Sequence, residues 1–279
     1  MMKPISMVAL FVVLSVAIGT TAAAAPEQAA PTTEPTTRPD MTPRISENSI
    51  VARDMPFAGP NSTDKQRLDV YAPRGANAAP VVVFIHGGEW TKGDKSEVSF
   101  KPKYLNENGV IFIAANYRLS GTDKHPAQVD DVATAVKWVR DHVPEFGGDP
   151  KKIVLMGHSA GCHLVTLATL DPRILARVGM KPSDLAGVVS WSGGAFDLVD
   201  KVKSGGMYAT YIRANFTDDE SAWRDASPMN HIGDSKQLPP FRGNSNTARP
   251  VSMRRRFSCS STSMAPSSRA PTARRTARC

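Results

Sequence analysis

Residues 151–168 read KKIVLMGHSAGCHLVTLA, and this stretch decides the fold. Ile153, Val154, Leu155 and Met156 form a short apolar run rich in β-branched residues, the pattern of a strand buried on both faces. Cys162 to Ala168 is a second apolar segment, read as a helix. Between them Gly157, His158, Ser159, Ala160 and Gly161 leave room only for a tight turn. A G-x-S-x-G run in a strand–turn–helix context seats its serine in a strained turn, with the hydroxyl projecting above the sheet. Glycines at 157 and 161 remove side chains that would collide with the neighbouring strand and helix. The N–H of Ala160, near the helix N-terminus, is then aimed at any negative charge developing on an oxygen beside Ser159. Ser159 is the candidate nucleophile.

Outward from this turn the chain alternates strands and helices. Val81–Ile85, Val110–Ala115 and Leu185–Trp191 repeat the buried-strand pattern. Residues 48–58 and 66–72 read as a leading antiparallel pair around the turn at Gly59, Pro60 and Asn61. From Pro126 to His142, Val129, Val132, Ala133, Val136 and Val139 keep helical spacing. Gly147, Gly148, Asp149 and Pro150 break the chain before the next strand. Strands alternating with helices imply βαβ units with right-handed crossovers. The expected fold class is α/β: a three-layer sandwich around a mostly parallel, twisted sheet.

A second motif, His86, Gly87, Gly88, Glu89 and Trp90, follows the strand ending at Ile85 directly. Glycines there let the backbone approach a bound carbonyl closely, so the amides of Gly88 and Glu89 are candidate oxyanion donors alongside Ala160. His86 reads as a residue that shapes the loop rather than as a base. Trp90 either lines an acyl pocket or packs beneath the loop.

Composition bounds the rest. The 279 residues are 41% hydrophobic and 22% charged, and three cysteines exclude a disulfide scaffold. The formal charge of +8 would suggest a nucleic-acid partner, but its distribution argues against one. Residues 1–240 carry 25 basic and 26 acidic groups, whereas 241–279 carry nine arginines and no acid. Four segments follow. Residues 1–25 read as a signal peptide, with Lys3, an apolar run from Met7 to Ile18 and small residues through Ala25. That run is short of the roughly 20 residues a span needs, so no membrane association is expected after cleavage. Residues 26–46 are a Pro/Thr-rich linker, 47–241 the core, and 242–279 a basic low-complexity tail. The tail's composition fits a segment translated out of frame better than a nucleic-acid arm. The expected location is secreted or periplasmic.

The stretch VVVFIHGGEW, then NYRL (116–119), HPAQVDDVATAVKWV, GGDP and GHSAG resembles the α/β-hydrolase serine esterases. It is most similar to the bacterial acetyl/feruloyl-esterase-like and carboxylesterase-like branch, with arylformamidases nearby. The resemblance covers roughly residues 50–240. It implies that Ser159 is the nucleophile, that Gly88, Glu89 and Ala160 form the oxyanion hole, and that no metal or organic cofactor takes part. The implied substrate is a small-molecule or polysaccharide-linked carboxylic ester; a formamide-cleaving amide hydrolase and a non-catalytic pseudo-hydrolase are the alternatives. The family's triad runs Ser, Asp/Glu, His along the chain. Here the pattern breaks: the last acid is Asp234 and the last histidine His231, so no triad histidine is found downstream. Gly243 to Pro250 fits the family's acid loop with Asn246 in place of the acid, and Asp197 is the alternative acid. Of the other histidines, His158 is expected to point away from Ser159, His163 to pack or lie on the surface, and His125 and His142 to face solvent. His231 is expected at the rim of the site. On this reading the sheet is incomplete at its C-terminal end.

Overall fold

A computed structural model describes residues 40–234 and 237–244. The expected signal peptide, most of the linker and Asn246 lie outside the described residues.

Seven strands form one sheet: β1 (Ser49–Pro56), β2 (Arg67–Pro73), β3 (Ala79–Ile85), β4 (Ile111–Ala115), β5 (Gly148–His158), β6 (Gly187–Trp191) and β7 (Phe241–Asn244). Their order across the sheet is β1-β2-β4-β3-β5-β6-β7. β1 and β2 enter antiparallel, and β4, β3, β5, β6 and β7 run parallel. The continuous apolar runs are explained by burial on both faces. Val81, Val83, Ile85, Ile153 and Leu155 belong to one core cluster, and the alternate residues Val82, Phe84, Val154 and Met156 to another.

Helices cover both faces. α1 (Lys101–Glu107) packs Leu105 into the second cluster. α2 (Ala127–His142) buries Val129, Val132, Ala133, Val136 and Val139 in the first, the stripe its spacing required. α3 (Ala160–Leu170) has every residue buried, because it lies between the sheet, α2 and the elements that follow β6. α4 (Pro172–Ala176) continues from it, capped by the Asp171 carboxylate. Between β6 and β7 the chain forms α5 (Leu198–Lys203), α6 (Met207–Phe216) and α7 (Glu220–Asp225). These three helices form an excursion between the two strands, the cap.

Two segments depart from the compositional divisions. Residues 40–46, within the Pro/Thr-rich stretch, are tied to the start of α1. The Ser99 amide donates to Met41 O at 2.9 Å, Arg44 N–H to Ser99 O at 2.8 Å, and Lys103 N–H to Arg44 O at 3.0 Å. β7 crosses the 241/242 boundary, with Arg242 opposite Val189 and Asn244 opposite Trp191. Ladder pairing uses backbone groups alone, so a shift in side-chain composition does not end a strand.

The Asn116–Arg118 stretch is a structural junction between β4 and α2. The Asn116 carboxamide accepts from Lys95 N–H at 2.6 Å and donates to Asp94 at 3.0 Å. Tyr117 stacks on His86, with ring centres 4.4 Å apart. The Arg118 guanidinium binds the buried Asp131 carboxylate of α2 through Nε and Nη2, both at 2.9 Å. Gln66 also donates to Asp131 at 2.9 Å. A bidentate pair of this kind holds geometry as well as charge. Asp131→Ala strands these donors, but Arg118 keeps partial access to water. The expected loss is about 2 kcal/mol of unfolding free energy, read as a lower urea midpoint at unchanged m value.

Candidate active site

The site is built where the ends of β3 and β5 meet. Ser159 has φ 52° and ψ −115°, a conformation far from helix or strand, and it is the N-cap residue of α3. Such backbone costs about 1–3 kcal/mol and persists only where its surroundings over-determine it. Here the Ser159 amide donates to Trp191 O at the end of β6 (3.2 Å), and its carbonyl accepts from His163 N–H (3.3 Å). The flanking glycines are required by close backbone approach. A Cβ on Gly157 would lie 2.3 Å from Gly161 O, and one on Gly161 would lie 2.2 Å from Ile85 O and 2.5 Å from His86 O. Behind the turn, Cys162 Sγ and Ser190 Oγ share a hydrogen bond of 2.5 Å, and burial pushes the Cys162 thiol up to about 11. That thiol is a packing group.

The His86–Trp90 loop lies against this elbow: a Cβ on Gly87 would sit 3.0 Å from Ser159 Cβ. Gly88, Glu89 and Trp90 have φ of 114°, 52° and 62°, three successive left-handed residues. The Gly88 carbonyl accepts from the N–H groups of Thr91 and Lys92, each at 3.0 Å. Glu89 and Lys92 form an exposed ion pair at 2.7 Å. Among the described residues, no acceptor is bound by the amides of Gly88, Glu89 or Ala160. These are the three donors singled out from the sequence.

Trp90 packs beneath the loop, not into a pocket. It is 3% exposed, meets His163 and Phe216 edge-on at 5.3 and 5.1 Å, and donates Nε1–H to His163 Nδ1 at 3.3 Å. Two further residues, which the sequence reading did not single out, hold the same loop. Ser120 donates its amide (2.9 Å) and hydroxyl (3.1 Å) to Trp90 O. Asn215 of α6, 1% exposed, donates Nδ2–H to Glu89 O at 3.1 Å. A polar residue on the apolar side of a cap helix was the available signal.

All six histidines are described, and each has a place. His86 turns its Nδ1 to Gly87 O at 2.7 Å, and burial holds it near pKa 4; it shapes the loop as expected. His158 faces Trp191 at 5.1 Å, and burial, then the Lys101 ammonium, lower its pKa. His163 is wholly buried; its Nε2–H donates to Ala226 O at 2.8 Å, and burial brings its pKa to about 3. His231 is buried as well, with Nε2 on Asp225 O at 2.7 Å and Nδ1 3.2 Å from Asp234. His142 is half-buried and stacked on Trp138. His125 corrects the expectation of a solvent-facing ring: its side chain is 8% exposed because α6 folds over it, with Phe216 5.4 Å away. Among the described residues, no histidine nitrogen is hydrogen-bonded to the Ser159 hydroxyl.

The candidate acids are engaged elsewhere too. Asp197 caps α5 by accepting from Asp200 N–H at 3.0 Å, and Asp225 pairs with Arg173 at 2.6 Å. Of the cap aromatics, Trp223 is buried and donates to Thr217 O at 2.8 Å, while Tyr208 is 56% exposed. Among the described residues there is no cluster of His, Cys, Asp and Glu able to hold a metal, and no helix is long and apolar enough to cross a membrane.

Comparison with known proteins bears on the family and the fold. The BD-FAE family model matches residues 68–248. The chain is 31% identical to the "probable isoprenylcysteine alpha-carbonyl methylesterase ICMEL1" of Arabidopsis thaliana, over 69% of this chain and 42% of that protein. It is 34% identical to the "probable carboxylic ester hydrolase LipM" of Mycobacterium tuberculosis, over 64% of this chain and 44% of that one. The chain thus spans under half the length of these two relatives. Esterase B from Lactobacillus rhamnosis superposes with a TM-score of 0.62 at 22% identity, covering 72% of this chain and 67% of that one. The likeness places the chain in the α/β-hydrolase fold.

Two predictions test the construction. Gly161→Ala drives a Cβ into two backbone carbonyls and is expected to cost about 3 kcal/mol or more, whereas Gly194→Ala meets nothing within 4 Å and should stay within about 0.5 kcal/mol, both by urea unfolding. His86 and His163 stay neutral in the folded state to well below the ordinary histidine pKa of 6.5. Unfolded, they take up protons first, so their contribution to stability is present above about pH 6.5 and is lost as pH falls toward 4. His163→Gln keeps a donor for Ala226 O and an acceptor for Trp90 but cannot titrate. Urea midpoints measured from pH 7 to 4 should therefore fall less steeply in the variant, by about one proton's worth of slope.

Proposed function

The chain belongs to the BD-FAE family, and from that membership together with the Ser159 elbow we propose that it hydrolyses carboxylic esters through an acyl-enzyme on Ser159. The observation that carries the reading is the strained serine at the head of a buried helix, set against a loop whose Gly88 and Glu89 amides, like that of Ala160, bind no acceptor among the described residues. In the proposed sequence, an ester carbonyl sits over the turn and the Ser159 oxygen adds to its carbon. The amides of Gly88, Glu89 and Ala160 receive the oxygen that becomes negative. Donors preset for that charge act in the transition state and need no reorganisation. Collapse of the adduct breaks the bond to the alcohol, which leaves with the proton that solvent water relays from the Ser159 hydroxyl; water then adds to the acyl-enzyme, releases the acid and returns a proton to Ser159. Support comes from relatives named as ester hydrolases and from the close approach of the serine turn to the end of β3 that the glycines permit.

The proton taken from Ser159 is the weak part of the machinery. With the six histidines occupied as described, the attack proceeds without an imidazole hydrogen-bonded to the serine. Oxyanion stabilisation and binding alone sustain roughly 10³–10⁴-fold acceleration over water after triad loss. We therefore propose slow turnover, on small esters, with export through the N-terminal signal placing the protein among extracellular or periplasmic substrates. Release of p-nitrophenol from p-nitrophenyl acetate and butyrate should exceed that of Ser159→Ala by 10-fold or more. A rate that does not depend on Ser159 overturns the nucleophile assignment, and faster cleavage of an aryl formamide than of the ester would favour the amide-hydrolase reading.

A further inference from the structure

The oxyanion loop is an improbable piece of backbone. Gly88, Glu89 and Trp90 are all left-handed, and two of the three carry a Cβ that disfavours this region. Local contacts account for only part of it. The Gly88 carbonyl is fixed within the loop by Thr91 and Lys92. A trans peptide directs its C=O and N–H to opposite sides, so fixing Gly88 O also fixes the direction of the Glu89 N–H. The next peptide has no such local anchor: Glu89 O is bound by Asn215 Nδ2, 126 residues later in the chain, at 3.1 Å. The third peptide is anchored by Ser120, whose amide and hydroxyl both reach Trp90 O. Asn215 and Ser120 are joined by a hydrogen bond from the Ser120 hydroxyl to the Asn215 Oδ1, and both side chains are buried. Asn215 also donates to Tyr211 O one turn back on α6 at 2.6 Å, which fixes its rotamer against its own helix.

We propose that Asn215, seconded by Ser120, is a positioning residue for the oxyanion hole: it pins the Glu89 carbonyl to α6, so that the peptides on both sides of the Glu89 Cα are anchored and the left-handed turn that presents the Glu89 amide is held. A carboxamide suits the place because it offers a donor to one carbonyl and an acceptor to one hydroxyl at once. Phe216, the next residue on α6, packs its ring edge-on to Trp90 at 5.1 Å, so cap and loop are joined by an apolar contact as well as a polar one. The kinetic part of the proposal rests on the ester-hydrolase reading; the pinning itself does not.

The test uses Asn215→Asp in the full chain. The substitution conserves shape and keeps the acceptor for Ser120, but it replaces the donor facing Glu89 O with a second acceptor. Hydrogen exchange followed by mass spectrometry reads the pinning directly, through the amides of Thr91, Lys92 and Ser120 that are hydrogen-bonded to the loop carbonyls. They are expected to exchange at least tenfold faster in the variant, with peptides from α2 and α3 unchanged. For p-nitrophenyl acetate, kcat is expected to fall 10- to 100-fold with KM within about twofold, the split that separates an aimed donor from a binding contact. Ser120→Ala should move both readouts in the same direction by a smaller factor, and it carries the test alone if the aspartate variant does not fold. Unchanged exchange at Thr91, Lys92 and Ser120 overturns the proposal, as does a rise in KM at constant kcat. If the unmodified protein shows no Ser159-dependent turnover, the hydrolase reading fails while the exchange comparison still decides the pinning.

Discussion

The contact on which the structure turns is the backbone-to-backbone approach of the β5–α3 turn to the end of β3. Gly161 sits so near the carbonyls of Ile85 and His86 that one methyl group would not fit. Because β3 and β5 are neighbours in the parallel sheet, with Ile85 opposite Gly157, their C-terminal ends emerge side by side. The His86–Trp90 loop therefore has to leave β3 directly over the serine turn. Ligand sites outside the carboxyl ends of parallel strands follow from this geometry, since both loops diverge there and leave a crevice. Removing the side chains at 157 and 161 lets the serine turn close to backbone contact with itself and with the end of β3. The price is a serine in strained backbone, offset by the burial of all of α3.

What could be read from the sequence was what local chemistry determines. The buried strands were visible as uninterrupted apolar runs, α2 as a stripe, and Ser159, Gly88, Glu89 and Ala160 as members of motifs whose glycines have a steric reason. α1 was not legible, because Lys101 to Glu107 sets one buried leucine among mostly polar groups, too few for a helical stripe, and it docks on β4 and on β2, whose strand lies some thirty residues earlier. The place of Asn215 on the buried side of its helix could be read, but not what it binds, because its partners lie far off in the chain at 89 and 120. His125 misled because a polar residue beside a proline reads as surface, whereas α6 arrives from 90 residues away to cover it. Charge composition drew the core boundary at 241, but strand pairing, which ignores side-chain charge, carried it to Asn244.

The histidines show how differently one residue type is used when its surroundings are set. Three of them grip one short stretch of chain at the end of α7. His163 donates to Ala226 O, His231 meets Asp225 O, and His125 approaches the Asp225 carboxylate at 3.9 Å. A neutral imidazole can donate from one nitrogen and accept at the other, and His163 does both, between Ala226 and Trp90. Placed this way, a histidine serves as a buried hydrogen-bonding strut joining the oxyanion loop, α3 and the cap. Burial lowers its pKa and withdraws it from proton transfer at ordinary pH.

This division separates the two halves of acyl transfer. Stabilising an oxyanion requires only amides held in place, and the amides proposed for it belong to two loops between residues 86 and 161, held by close backbone approach and by the hydrogen bonds of Ser120 and Asn215. Moving the proton requires a side chain of suitable basicity against the serine, and that depends on loops brought in from elsewhere in the fold. The first half draws its donors from backbone groups, so a side-chain substitution can weaken their aim but cannot remove a donor. The second half is vulnerable to any change that alters one loop. In the proposed mechanism, a chain with the first half intact would still stabilise the tetrahedral adduct of an ester to a modest degree, whichever group accepts the serine proton.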